Sequence, residues 1–202
     1  GASSVSYDAA SQRAFVASAN SDSLAVVDVS DPARPVLIGT FTDATNLDGA
    51  AGVYYDAPTR RAIVVSQAAD SLAVVCVPND LNECGADLAL IDSQADDADL
   101  QGARAVTYVA ATQHALIASP DADSLSVVDV SDPTGPAVVG VATDGTDLDG
   151  ACGVAYDATR QRAIVVSGGA DTLSVINVAV PASPTVLGTL NDGTALHGAC
   201  GV

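Results

Sequence analysis

The chain has no Lys, Met or Trp, a single Glu (Glu83) and two His among its 202 residues. Aromatic side chains are scarce too, with five Tyr and two Phe. Each shortage excludes something. With no Lys, and seven Arg against 25 acidic residues, the net charge is −18, which excludes electrostatic capture of nucleic acid or an anionic membrane surface. No apolar run approaches the ~18 residues of a membrane-spanning helix, so no membrane insertion is expected. Few His and Glu, and no Lys, leave little material for general acid–base work. The sequence contains no Gly-x-Ser-x-Gly elbow, Cys-x-x-Cys pair, His-Glu-x-x-His or EF-hand loop. With so few aromatics, the core has to be built from Val, Ala, Leu and Ile. The 24 Asp point instead to divalent cations, basic partners, or hydration in a saline, extracellular setting.

What the chain has in quantity is repetition. The pattern Asp-x-x-x-Leu-x-Gly-Ala recurs at 43–50, 96–103, 144–151 and 192–199, which spaces Leu47, Leu100, Leu148 and Leu196 by 53, 48 and 48 residues. A fixed period in this range marks a repeat architecture. It divides the chain into units 1–48, 49–101, 102–149 and 150–197, with 198–202 beginning a further copy. Each unit holds short β-rich runs between Gly, Pro, Asp, Asn and Ser turns, as in Ala50–Tyr55, Ala62–Ser66 and Leu72–Val75. Unit 1 shows the fourth run most clearly, Pro35–Phe41. Four strands per repeat with no helical periodicity predict an all-β fold, a β-propeller of four-stranded blades, with four blades in a single domain over 1–202. The third run, such as Leu24-Ala25-Val26-Val27, is apolar at consecutive positions, as expected of a strand covered on both faces. Gly1–Val5 and Gly198–Val202 share one register, so the chain is either a four-bladed ring with a redundant tail or a window of a larger propeller or array.

Ser23-Leu24-Ala25-Val26-Val27-Asp28-Val29-Ser30-Asp31-Pro32 and its counterpart Ser124 to Pro133 resemble the LVIVD repeat of bacterial and archaeal surface proteins. The following Pro-x-x-x-Gly, at 35–39 and 136–140, fits the same pattern, and degenerate copies lie at Ser71–Pro78 and Thr172–Val180. The resemblance implies a β-propeller outside the cell, and it brings no catalytic residues with it. Unit 2 departs most, with Cys76 in place of Asp28 and an insertion.

Propeller topology assigns residues to faces. Arg13, Arg34, Arg60, Arg61, Arg160 and Arg162 fall on one face, near Asp8, Asp31, Asp56 and Asp157. The other face collects Asp without Arg. There Asp22, Asp70, Asp123 and Asp171 are expected to close turns between the second and third strands through Asx hydrogen bonds. Asp43, Asp96, Asp144 and Asp192 are expected to do the same in the connections between blades. Asp48, Gln101, Asp149 and His197 are expected at the channel rim, where Asp48, Asp149 and His197 are candidate ligands for Ca²⁺ or another divalent cation. Arg104, on an inner strand, either pairs with a rim Asp or holds a carboxylate in the channel. Cys76 and Cys84 bracket a short loop and are expected to form a disulfide, which places the chain in an oxidising compartment. Cys152 and Cys200, on inner strands that are not hydrogen-bonded neighbours, are expected to be buried and unbridged.

These observations predict an extracellular or cell-surface β-propeller acting as a binding or structural scaffold, with a protein or surface-polymer partner. One alternative is a metal-dependent enzyme at the channel rim, its metal held by Asp48, Asp149 and His197, and a Cys152–His197 couple is a separate catalytic possibility. Another is a self-assembling subunit of an extracellular filament or surface layer.

Overall fold

The computed structural model describes residues 1–78, 85 and 87–201. The β-branched runs pair as four meandering antiparallel sheets. Blade 1 is β1 (Ala2–Asp8), β2 (Arg13–Ser18), β3 (Ser23–Asp28) and β4 (Val36–Thr42). Blade 2 is β5 (Ala50–Asp56), β6 (Arg61–Ser66), β7 (Ser71–Cys76) and β8 (Ala89–Ala95). Blade 3 is β9 (Ala105–Val109), β10 (His114–Ser119), β11 (Ser124–Asp129) and β12 (Ala137–Thr143). Blade 4 is β13 (Ala151–Asp157), β14 (Arg162–Ser167), β15 (Thr172–Asn177) and β16 (Thr185–Asn191).

Apolar burial occurs between blades. Three core clusters lie between blades 1 and 2, 2 and 3, and 3 and 4. Leu47, Leu100 and Leu148 are fully buried, one in each cluster. The repeated leucine is therefore the plug that each connection drives between successive blades. Tyr55, Tyr108 and Tyr156 recur on the first strand and lean on the preceding blade, Tyr55 stacking on Phe15 with ring centroids 3.8 Å apart.

The expectation of third strands buried on both faces holds for the inner blades only. In β7 and β11 five consecutive residues are buried, whereas burial alternates along β15 and is broken along β3. Blade 1 leaves Val5, Tyr7 and Leu37 exposed on one side, and blade 4 leaves Leu187 and Leu190 exposed on the other. A closed ring of four would bury these two faces on each other. Among the described residues the four blades form an arc with two uncovered sheet faces, the arrangement of a window rather than of a closed four-bladed ring.

Candidate ligand channel

The connections between blades position everything at the channel. In each, an Asp carboxylate caps its own turn. Asp43 Oδ1 accepts from the Thr45 and Asn46 amides, and Asp96, Asp144 and Asp192 repeat the arrangement. These bonds favour the charged form. Asp43 is held below its ordinary pKa, chiefly by the Asn46 side chain, and Asp144 and Asp192 by backbone amides.

The second set of Asp residues behaves differently from the expectation. Asp22, Asp70, Asp123 and Asp171 adopt left-handed backbone conformations, with φ between 45° and 54°. Their carboxylates do not close their own turns. They reach across to the next connection, where Gly49, Gly102, Gly150 and Gly198 donate their amides at 2.7–3.0 Å. All four glycines have positive φ, and at Gly49, Gly102 and Gly150 there is also no room for a Cβ. At Gly150, for example, φ is +66° and a Cβ would press on the Gly169 amide. Buried hydroxyls complete the clamp: Ser71 and Ser66 donate to the Asn46 carbonyl, Ser126 and Ser124 to Asp99, and Thr172 and Ser174 to Asp147.

The predicted rim residues sit within this clamp. Asp48, Gln101, Asp149 and His197 are all solvent-exposed. The Asp48 carbonyl accepts from the Ala68 and Ala69 amides, and that of Asp149 from Ala170. His197 Nδ1 lies 3.2 Å from Asp171 Oδ2. Among the described residues no three His, Cys, Asp or Glu side chains gather as a metal would require, so the structure does not bring Asp48, Asp149 and His197 together.

Inside, the four inner strands β1, β5, β9 and β13 line a cavity of about 900 Å³. Its wall includes Ser3, Ser6, Gln67 and Thr107, with Tyr54 and Tyr156. Burial raises both tyrosine pKa values above 10.0, which keeps the phenols protonated and able to donate. Among the described residues, no Asp or Glu lines the cavity and Arg104 is its one cationic side chain. The Arg104 amide donates to the Ala118 carbonyl, fixing the backbone where β9 begins. Its guanidinium forms no ion pair among the described residues. Of the five residues singled out from sequence, Arg104 alone lines the cavity, and the pairing with a rim Asp is not what the structure shows. The channel tyrosines and hydroxyls escaped the sequence reading, which attended to the charged connections. Reading the inner strands for missing charge would have found them.

Cys152 and Cys200 also line this cavity, and they are disulfide-bonded, with Cα atoms 5.3 Å apart. This corrects the expectation of two unbridged thiols and removes Cys152 as a partner for His197. Inner strands touch at their first residues even without a shared ladder. A Cβ on Gly52 of β5 would meet the Arg104 carbonyl at 2.7 Å, one residue from the equivalent position of the repeat. Cys200 occupies that same place beside β13. The expected Cys76–Cys84 bridge involves Cys84, which lies outside the described residues.

Comparison with known proteins agrees with this architecture. Residues 14–43 and 108–144 match the LVIVD repeat model, so the chain carries LVIVD repeats at those two stretches. No curated protein sequence matches the chain. A protein from Lactobacillus plantarum superposes with TM-score 0.78 at 18% identity, over 94% of this chain and 57% of its own. The periplasmic gluconolactonase of Pseudomonas aeruginosa gives TM-score 0.75 at 16% identity, over 96% and 58%. A Bacteroides uniformis protein described provisionally as a 6-phosphogluconolactonase gives 0.74 at 11%, over 94% and 57%. At these identities the likeness is one of fold. The chain spans less than three fifths of the length of each.

Proposed function

We propose that this propeller is an extracytoplasmic binding module whose channel takes a small polyhydroxy carboxylate, with Arg104 as its charge contact. The observation that carries this reading is the segregation of charge. In a chain of net charge −18, no Asp or Glu among the described residues lines the cavity, and the one guanidinium there forms no ion pair among them. Guanidinium pairs with carboxylate bidentately. The hydroxyls of Ser3, Ser6 and Thr107 and the neutral phenols of Tyr54 and Tyr156 suit a ligand rich in hydroxyl groups. Opening a gluconolactone ring yields a molecule of this class, so the ligand chemistry is compatible with the activity named for the Pseudomonas protein without requiring the same reaction here. The Cys152–Cys200 bridge supports an oxidising compartment, and no helix among the described residues is long and apolar enough to cross a membrane.

Calorimetric titration with gluconate, set against the neutral polyol glucitol, tests the reading. Gluconate is expected to bind saturably and glucitol much more weakly. Arg104→Gln, which leaves the Ala118 backbone bond in place, is expected to lower gluconate affinity at least tenfold. Equal binding by wild type and R104Q, or no saturable heat from gluconate, overturns it.

A further inference from the structure

The strands that face the channel share one irregularity. In β1, β5 and β13 the register with the second strand slips between Ala2 and Ser4, between Ala50 and Gly52, and between Ala151 and Gly153. The residues skipped are Ser3, Ala51 and Cys152. At the head of β9 the same place belongs to Arg104. Ala105 pairs with Ala118 as Gly52 pairs with Val65, and the Arg104 amide donates to the carbonyl of that same Ala118. A bulge lifts one residue out of the ladder and re-aims its side chain. Here the aim is inward, since Ser3, Ala51, Arg104 and Cys152 all line the cavity. The residues just before the last three, Ala50, Ala103 and Ala151, are fully buried in the cores between blades. One position of the repeat is therefore constant and packed, and the next is variable and open to the channel.

The Cys152–Cys200 bridge measures the spacing of these slots. Cys200 follows Cys152 by one period, and the two Cα atoms are 5.3 Å apart. Ala51 stands in the same relation to Arg104, one blade earlier. Its neighbour Gly52 shows how close the two strands run there, because a Cβ on Gly52 would meet the Arg104 carbonyl at 2.7 Å and the Ala105 Cα at 3.3 Å. Residue 51 is thus beside Arg104, on a wall where no other charged side chain is found among the described residues.

We propose that the bulge slot selects the ligand and that Ala51 is its specificity-determining residue, a step that rests on the reading of Arg104 as the charge contact. A small, uncharged side chain at 51 leaves the guanidinium open to a carboxylate arriving from the channel. A carboxylate carried at 51 would occupy the guanidinium from within the wall, since the two form charge-assisted pairs wherever they are neighbours. The scaffold supports this division of labour. The packed alanine holds the strand between blades, so the slot can change its chemistry without disturbing a core.

Two experiments test it. The double variant A51C/R104C tests the spacing without any ligand. It is expected to form a disulfide joining the two substituted positions, read by peptide mapping of the non-reduced protein. Calorimetric titration with gluconate tests the role. Ala51→Glu is expected to lower affinity about tenfold or more, as Arg104→Gln does. Ala51→Gln, equal in size and uncharged, is expected to lose far less. Ala51 is half-buried at the cavity wall, so both single variants are expected to keep the wild-type circular dichroism spectrum and melting temperature. Absence of the disulfide overturns the adjacency and the proposal with it. Gluconate bound equally by A51E and wild type, or A51Q as damaging as A51E, overturns the role of Ala51 and leaves the reading of Arg104 standing. A wild type that binds no gluconate overturns both.

Discussion

Asp123 joins two requirements in one side chain, and a series of substitutions separates them. Its backbone is left-handed, with φ 47°, and its carboxylate accepts the Gly150 amide at 3.0 Å. Asp123→Ala loses both. A hydrogen bond to a charged acceptor contributes about 1.5–3 kcal/mol, and the half-exposed site calls for the lower end, about 1.5 kcal/mol. Forcing a Cβ-bearing residue without a polar side chain into the left-handed region costs about 1–2 kcal/mol more. The expected loss for D123A is therefore about 3 kcal/mol. Asp123→Gly removes the hydrogen bond and the backbone penalty together, so it should cost about 1.5 kcal/mol. Asp123→Asn keeps both a neutral acceptor and tolerance of this conformation, and should cost about 0.5 kcal/mol. In thermal melts followed by circular dichroism, at roughly 2–4 °C per kcal/mol for a chain of this size, D123A should fall by about 9 °C and D123G by about half that. If D123A and D123G melt together, the left-handed backbone carries no cost. If D123N is as damaging as D123A, the carboxylate is not acting through the Gly150 amide.

Two further outcomes follow. Leu148→Ala empties a fully buried site between blades 3 and 4 and should cost about 3 kcal/mol by urea unfolding; a loss below about 1 kcal/mol would mean that leucine does not separate the blades. Stability should also depend on pH at both extremes. Asp43, Asp144 and Asp192 have folded pKa values below 3.8, so their contribution is complete above 3.8 and is lost as pH falls through the folded values. Burial raises Tyr54, Tyr55 and Tyr108 above 10.0, so their contribution is complete below 10.0 and is lost as pH rises through the folded values. Melts from pH 2.5 to 11 should show a plateau with losses at both ends, and a melting temperature still rising below 3.8 would contradict the acid limb.

The repeat made the blades legible because strand patterning and period are local properties of sequence. Leu47 and its copies were visible as a recurrence, and their burial between sheets follows once blades are assumed. The role of Asp22 and its copies was not visible, because the partner glycine lies 27 residues on in blade 1 and 32 on in blade 2. An Asp at a turn reads as a turn former until the next connection is in place. The Cys152–Cys200 bridge was missed for a related reason: distance was judged from hydrogen-bonded pairing, whereas inner strands converge on the axis without sharing a ladder. The cavity wall went unnoticed because the charged connections drew attention. That wall is carried on strands whose Ser, Thr and Tyr look like ordinary β residues.

Each clamp ties one blade to the connection that opens the next, never to a distant blade. Asp22 meets Gly49, Asp70 meets Gly102, Asp123 meets Gly150 and Asp171 meets Gly198. A nascent chain thus needs only the following 27 to 32 residues to finish what it has begun, and loop-closure entropy stays small at every step. Order can then spread along the polypeptide in the direction of its synthesis, one sheet serving as template for the next, as expected of quasi-one-dimensional repeats.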